Sequence, residues 1–112
     1  ELNWQLSADT LHRKIRAYIP WPVAQFTLND PKDKTHRIRI WQASTVPYAG
    51  NQPPATILAI DKQGITVATA EAALRLEILQ LPGKKALPVS DILNSRSDWF
   101  TIGHAITGNT TG

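Results

Sequence analysis

The spacing of apolar residues changes once along the chain, from a helical period to a strand period. After Ser7 and Asp9, the residues Leu11, Ile15, Tyr18 and Ile19 follow at intervals of four, three and one, which places them on one face of a helix. The helix is expected to stop at Pro20. In Pro20-Trp21-Pro22 neither proline offers an amide donor, and Pro22 biases Trp21 away from helical geometry, so the three residues read as a rigid corner. Arg13 stands opposite the apolar stripe, with His12, Lys14 and Arg16 around the remaining arc, and no acid occurs from Thr10 to Leu28. The solvent side of the helix is therefore expected to be basic.

Beyond the corner the period is two, and Val, Ile, Thr and aromatic residues become frequent, as in strands. A short strand is predicted over 25–28. The charged run Asn29-Asp30-Pro31-Lys32-Asp33-Lys34 has no apolar anchor and reads as a solvated hairpin loop. The next strand, over 36–43, puts Ile38 and Ile40 on one face and Arg37, Arg39 and Trp41 on the other. Residues 47–54 form a loop. Strands over 56–60 and 65–69 flank the turn Asp61-Lys62-Gln63-Gly64, the clearest hairpin signal in the chain. Leu74, Leu76 and Ile78 then alternate with Arg75, Glu77 and Leu79 up to Pro82-Gly83, and Lys84 and Lys85 follow in the loop. Ser90 is expected to cap a short helix through Leu93, with Asp91 near its positive end, and Trp99 and Phe100 to pack back. From Gly103 the apolar pattern is lost, so residues 1–102 read as the folded domain and 103–112 as a flexible tail.

Short strands separated by turns, with helices attached, predict a mainly β domain. The expected architecture is a small Greek-key barrel of the oligonucleotide-binding type, with an N-terminal amphipathic helix and a short C-terminal helix. An SH3-like barrel uses the same pattern and stays open at this point.

A length of 112 residues suits one domain with its own core. The lack of cysteine removes disulfides, thiolate catalysis and cysteine-based zinc sites, and fits a cytoplasmic setting. No stretch approaches the roughly 18 apolar residues that cross a bilayer, and no secretory leader pattern opens the chain, so no membrane partner is expected. The absence of methionine, the initiator included, points to an amino end that lies inside a longer protein. A net charge of +3, from twelve Lys and Arg against nine Asp and Glu, allows an anionic partner without requiring one.

Placement of the cations says more than their excess. Arg13, Lys14 and Arg16 on the helix, Arg37 and Arg39 on a strand, and Lys84 and Lys85 in a loop form a candidate phosphate-binding set, because cations on a polyanion release condensed counterions. The same residues would also make an ordinary solvated surface. Trp41, beside the two strand arginines, is a candidate base-stacking residue, although a strand tryptophan is more often core; Trp4, Trp21 and Trp99 read as packing residues. His12, His36 and His104 are scattered without metal-ligand spacing, so no metal site is expected. No glycine-framed serine or phosphate loop occurs, and the acids fall at turns or exposed strand positions, so no catalytic residue is assigned. Asn109-Thr110-Thr111 matches a glycosylation acceptor, which matters only in a secreted chain.

In order along the chain come Asn3-Trp4, Leu6-Ser7-Ala8, Ile15-Arg16-Ala17, Pro20-Trp21-Pro22 and Trp41-Gln42-Ala43-Ser44. Then follow Gly64-Ile65, Val67-Ala68-Thr69, Leu79-Gln80-Leu81-Pro82-Gly83-Lys84-Lys85-Ala86, Leu93-Asn94-Ser95-Arg96 and Trp99-Phe100. Their succession, from about Leu2 to Phe100, resembles the C-terminal domain of bacterial methionyl-tRNA formyltransferases. The resemblance implies an oligonucleotide-binding barrel joined to an N-terminal catalytic domain on the same polypeptide, with initiator methionyl-tRNA as partner and a cytoplasmic location. It also implies that the formyl donor, 10-formyltetrahydrofolate, and the catalytic asparagine, histidine and aspartate belong to that other domain, so no cofactor is expected here. The basic face would then hold tRNA largely without sequence preference and orient its acceptor arm, which can speed a reaction without touching the reacting atoms. Residues 30–34 and the chain after Thr101 depart from the family pattern and inherit no role. Two other classes stay open: a structural C-terminal domain of a nucleotide-sugar formyltransferase or formyltetrahydrofolate dehydrogenase, which meets no RNA, and a free-standing single-strand-binding protein, which needs a row of aromatics.

Overall fold

The computed structural model describes residues 3–18, 24–29, 32 and 34–106, apart from the side chains of Tyr18 and Ser97. The corner at Pro20-Trp21-Pro22, Ile19 of the helical stripe, part of the first hairpin loop and the chain after Ile106 lie outside the described residues.

Helix α1 spans Ala8–Tyr18. Ser7 caps it: its Oγ accepts from the Thr10 amide at 3.2 Å, satisfying one of the donors that a helix start leaves unpaired. The apolar stripe turns inward as its spacing predicts, with Leu11 and Ile15 fully buried while Arg13, Lys14 and Arg16 face solvent. The helix start is pinned to a distant turn, since the Ala8 amide donates to the Glu71 carbonyl at 3.0 Å and the Ala70 amide to the Leu6 carbonyl at 3.1 Å. In that turn Ala72 adopts a left-handed φ of 63°, a conformation costing roughly 1 kcal/mol for a residue with a Cβ. The Thr69 hydroxyl holds it by donating to the Glu71 and Ala72 carbonyls.

Among the described residues six strands form one curled antiparallel sheet, so the fold is mainly β with a helix near each end. They are β1 (Gln25–Asn29), β2 (Thr35–Val46), β3 (Ile57–Asp61), β4 (Gly64–Ala68), β5 (Ala73–Gln80) and β6 (Leu87–Pro88). The order β1-β2-β5-β4-β3 joins β3, β4 and β5 by short turns and returns β2 beside β5 through the long connection after Val46, which is Greek-key connectivity. The two-residue β6 pairs with the end of β5, Ile78 opposite Pro88 and Leu79 opposite Leu87. In the β3–β4 turn Asp61 Oδ1 accepts from the Gln63 and Gly64 amides at 2.8 and 3.2 Å. Gly64 is required there, because a Cβ at this position would collide with the Leu76 carbonyl oxygen.

The β2–β5 ladder departs from simple alternation at one place on both strands. Ile40 pairs with Leu79 and Ala43 with Leu76, so the step between successive core residues is three rather than two on each strand. Each strand thereby gains an outward residue in the interval, and the irregularity bends the sheet. The expected alternation of Leu74, Leu76 and Ile78 fails here: Leu79 enters the core and Ile78 is left half-buried. The same core holds Phe26, Ile38, Ile57 and Ile65, and Trp4 packs edge-on against Phe26 with ring centroids 6.1 Å apart.

Helix α2 spans Val89–Arg96, followed by a single 3-10 turn at Ser97–Trp99. It starts one residue ahead of the expected cap, so Ser90 lies inside the helix, and it runs past Leu93 to Arg96, with Val89 and Ile92 buried on its inner face. The pattern lost at Gly103 does not mark the end of packed chain. Gly103 donates to the Ile57 carbonyl at 2.8 Å, Ile57 to that of His104 at 2.9 Å and Ile106 to that of Ala55 at 2.7 Å. Ile106 is fully buried, and one apolar residue among glycine and threonine gives no periodic signal.

Ile15→Ala is expected to cost about 2–4 kcal/mol, the usual loss for truncating a buried isoleucine. Arg13→Ala should cost less than about 0.5 kcal/mol, because its 2.6 Å ion pair with Asp9 lies in solvent. Urea unfolding midpoints of the two variants check the orientation of the helix.

Candidate nucleic-acid interface

Strand alternation decides which cations can act together. Because Ile38 and Ile40 are buried, Arg37 and Arg39 project from the outer side of β2, where both are exposed. Thr27 and Gln25 of β1 face them, and Arg39 also pairs with Gln80 of β5. Immediately after β5 the chain reverses in a turn closed by the Lys84 amide on the Leu81 carbonyl at 3.1 Å. Pro82 supplies the preset φ of the turn and Gly83 its left-handed φ of 73°.

This turn is a ridge between two clefts. One, of about 410 Å³, is lined by Gln25, Arg37, Arg39, Gln80 and residues 81–83. The other, of about 490 Å³, lies between the turn and α2; Leu81, Leu87 and Ile92 form its apolar wall, Lys84, Lys85 and Arg96 are its cations, and Asp91 adds one carboxylate. Two segments that the sequence separates by more than forty residues thus meet at this turn, with Arg37 and Arg39 in the cleft on one side of it and Lys84 and Lys85 in the cleft on the other. Among the described residues no carboxylate forms an ion pair with Arg37, Arg39, Lys84 or Lys85, which leaves these charges available to an external anion.

Trp41 lies on the same outer side, half-buried, and its indole Nε1 donates to Gln80 Oε1 at 2.8 Å. Its polar edge is already engaged. Gln80 in turn donates through Nε2 to the Lys84 carbonyl at 2.8 Å. Farther along, Glu77 accepts from Ser44 at 2.7 Å, Gln42 at 3.0 Å and Arg75 at 3.2 Å. Burial works against its charged form, but the hydrogen bonds from Ser44, Gln42 and Arg75, with the Arg75 charge, outweigh it and hold the carboxyl below its ordinary value of 4.5.

The structure does not bring the helical cations to this face. Leu11 and Ile15 enter the core that Ile38 and Ile40 also face, so Arg13, Lys14 and Arg16 leave the core on the helix's own solvent side, and Arg13 is paired with Asp9. Neither of the two clefts includes them. Sequence reasoning missed Gln80 and Arg96. Arg96 sits over the Trp99 ring at 5.4 Å, and the same ring stacks on His36 at 4.1 Å. The expected helix ended at Leu93, before Arg96, and the approach of Arg96 to Lys84 and Lys85 depends on where β6 carries the chain. Among the described residues no three His, Asp or Glu cluster as metal ligands, and no helix is long and apolar enough to cross a membrane.

The order of motifs along the chain and this fold agree with a comparison against known families. The chain belongs to the formyl transferase C-terminal domain family, whose model matches residues 1–97. It is 67% identical, over 106 residues covering 95% of the chain, to a methionyl-tRNA formyltransferase of Colwellia psychrerythraea strain 34H. The chain spans 32% of that relative's length.

Glu77 gives this face a pH signature. Since folding lowers its pKa, its stabilising contribution is present above the unfolded value and is lost as pH falls through the folded one. Glu77→Gln should therefore lower the urea midpoint near pH ~7, and its difference from the parent should shrink as the pH falls towards ~3. A difference that stays constant across that range would show that the charge of Glu77 contributes nothing.

Proposed function

We propose that this chain is the tRNA-holding C-terminal domain of a methionyl-tRNA formyltransferase, built on a barrel of the oligonucleotide-binding type. In this reading it contacts the phosphates of initiator methionyl-tRNA while a separate N-terminal domain, with 10-formyltetrahydrofolate, formylates the methionyl amino group in the cytoplasm during translation initiation. The observation that carries the reading is the convergence of Arg37 and Arg39 with the turn bearing Lys84 and Lys85, all exposed and, among the described residues, without an ion-pair partner. The name of the 67% identical relative supports the choice of substrate.

Each residue has a distinct part. Arg37 and Arg39 offer planar forks that can bridge phosphate oxygens, whereas Lys84 and Lys85 supply mobile point charges at the rim. Arg96 extends the cationic line along α2. Trp41 serves chiefly as a hydrogen-bond anchor, since its indole N–H is occupied by Gln80 and its ring is half-buried. Arg13, Lys14 and Arg16 form a separate strip that can meet another part of a large RNA. Contacts of this kind register the nucleic acid without reading its bases, so discrimination between tRNAs falls to the catalytic domain. Holding the acceptor arm in place raises the effective concentration of the methionyl amino group at that domain.

Lys84→Ala with Lys85→Ala, in the full-length protein, should weaken binding of initiator and elongator tRNAs by a similar factor, on the order of tenfold at low salt. The slope of log affinity against log salt should become shallower by about one to two units, with unfolding midpoints nearly unchanged. Unchanged affinity and slope in a folded variant would favour the structural role seen in formyltransferases that bind no RNA. The 112-residue chain alone, given charged initiator tRNA and 10-formyltetrahydrofolate, should transfer no formyl group; turnover above a no-protein blank would overturn the division of labour.

A further inference from the structure

We infer that Gln80 is a positioning residue of the tRNA-binding face: its side-chain amide fixes the Lys84–Lys85 turn to β2 and so sets the spacing between the loop lysines and the strand arginines. The inference rests on the phosphate-binding reading above and adds to it a residue that carries no charge.

The geometry is that of a latch. Gln80 is the last residue of β5 and pairs in register with Arg39, so its backbone is fixed directly beside one of the strand cations. Its side chain lines the cleft with Arg37 and Arg39. Both ends of the amide are used: Oε1 accepts from the Trp41 indole N–H at 2.8 Å, and Nε2 donates to the Lys84 carbonyl at 2.8 Å. The amide cannot rotate by half a turn without placing its NH₂ against the indole N–H and its oxygen against the carbonyl, so the indole fixes its orientation. Trp41 is anchored within a twelve-residue strand, whereas Lys84 lies in an exposed turn whose own closure is a single backbone hydrogen bond to Leu81. Without the latch, Lys84 and Lys85 would sample more directions, and the entropy of ordering them would be charged against binding.

Such a residue leaves a signature that neither a phosphate contact nor a purely structural residue gives. Removing a phosphate contact changes the salt slope, because a counterion-releasing charge is lost. Removing a positioning residue lowers affinity with the slope intact, because every charge is still present. A purely structural residue lowers stability and leaves the affinity of the folded protein alone.

The test is Gln80→Met, close in size but unable to bond either partner, in the full-length protein, with tRNA affinity measured across a salt series. Affinity should fall roughly three- to tenfold, the range for losing one ordering hydrogen bond, with the salt slope unchanged. Placed in the Lys84→Ala, Lys85→Ala background, Gln80→Met should have no further effect, since nothing remains to be positioned. Native affinity in folded Gln80→Met would overturn the inference, as would an equal loss in both backgrounds. If Gln80→Met fails to fold, Gln80→Thr, which suits a strand and cannot span both partners, is held to the same outcomes. If the lysine pair itself has no effect on affinity, the phosphate-binding reading fails first, so the two ideas fall to different results.

Discussion

Antiparallel pairing of β2 with β5 sets Arg39 opposite Gln80, and the cleft that holds the strand arginines beside the Pro82–Gly83 turn depends on that register. The pairing is non-local: β2 must wait for β3, β4 and β5 to be threaded before its partner exists, and a long connection must be closed before any ladder hydrogen bond offsets the cost. In return, β5 has β2 on one edge and β4 followed by β6 on the other, so its buried residues are covered from both directions. The three-residue step at Ile40–Ala43, matched at Leu76–Leu79, is tolerated because it occurs on both strands together. A slip on one strand alone would have turned either Ile40 or Leu79 into solvent.

That irregularity also sorts the outer face. On one side of it lie Arg37, Arg39 and the Pro82–Gly83 turn, with a cleft between them. On the other side Glu77 is enclosed by Gln42, Ser44 and Arg75, a network that consumes its own charge. Trp41 and Gln80 stand at the border and are bonded to each other. A carboxylate can thus lie on the same sheet face as the phosphate-seeking arginines because local donors already neutralise it. The surface has a free cationic part and a self-satisfied polar part, and only the first has charge left to offer a polyanion.

Legibility in the sequence tracked the range of the interaction. The helix stripe of Leu11 and Ile15, the Asp61–Gly64 turn and the outward phase of Arg37 and Arg39 depend on residues a few positions apart, and each could be read from spacing. The family resemblance likewise pointed to the fold and to the family that the comparison establishes. Ile78 was misplaced because the alternation that governs Leu74 and Leu76 is broken by the partner strand, which local pattern cannot reveal. The start of α2 was placed two residues late, at Asp91 after a Ser90 cap instead of at Val89, because a polar residue in the first turn looks like a cap. Among the site residues, Arg37, Arg39, Lys84 and Lys85 were visible individually, and Arg96 was not. Their grouping was not: Lys84 joins Arg39 through Gln80, while Arg13 and Arg16 are carried elsewhere by a helix whose core face could be read but whose docking direction could not.

The strip from Gly103 to Ile106 pairs with Ala55, Thr56 and Ile57, where the chain enters β3 at the open end of the sheet order. An uncovered edge strand is a template on which another chain can add its own backbone. The family match ends at residue 97, so a fragment trimmed to that boundary would keep most of the core yet uncover Ile57 and the edge that Ile106 closes.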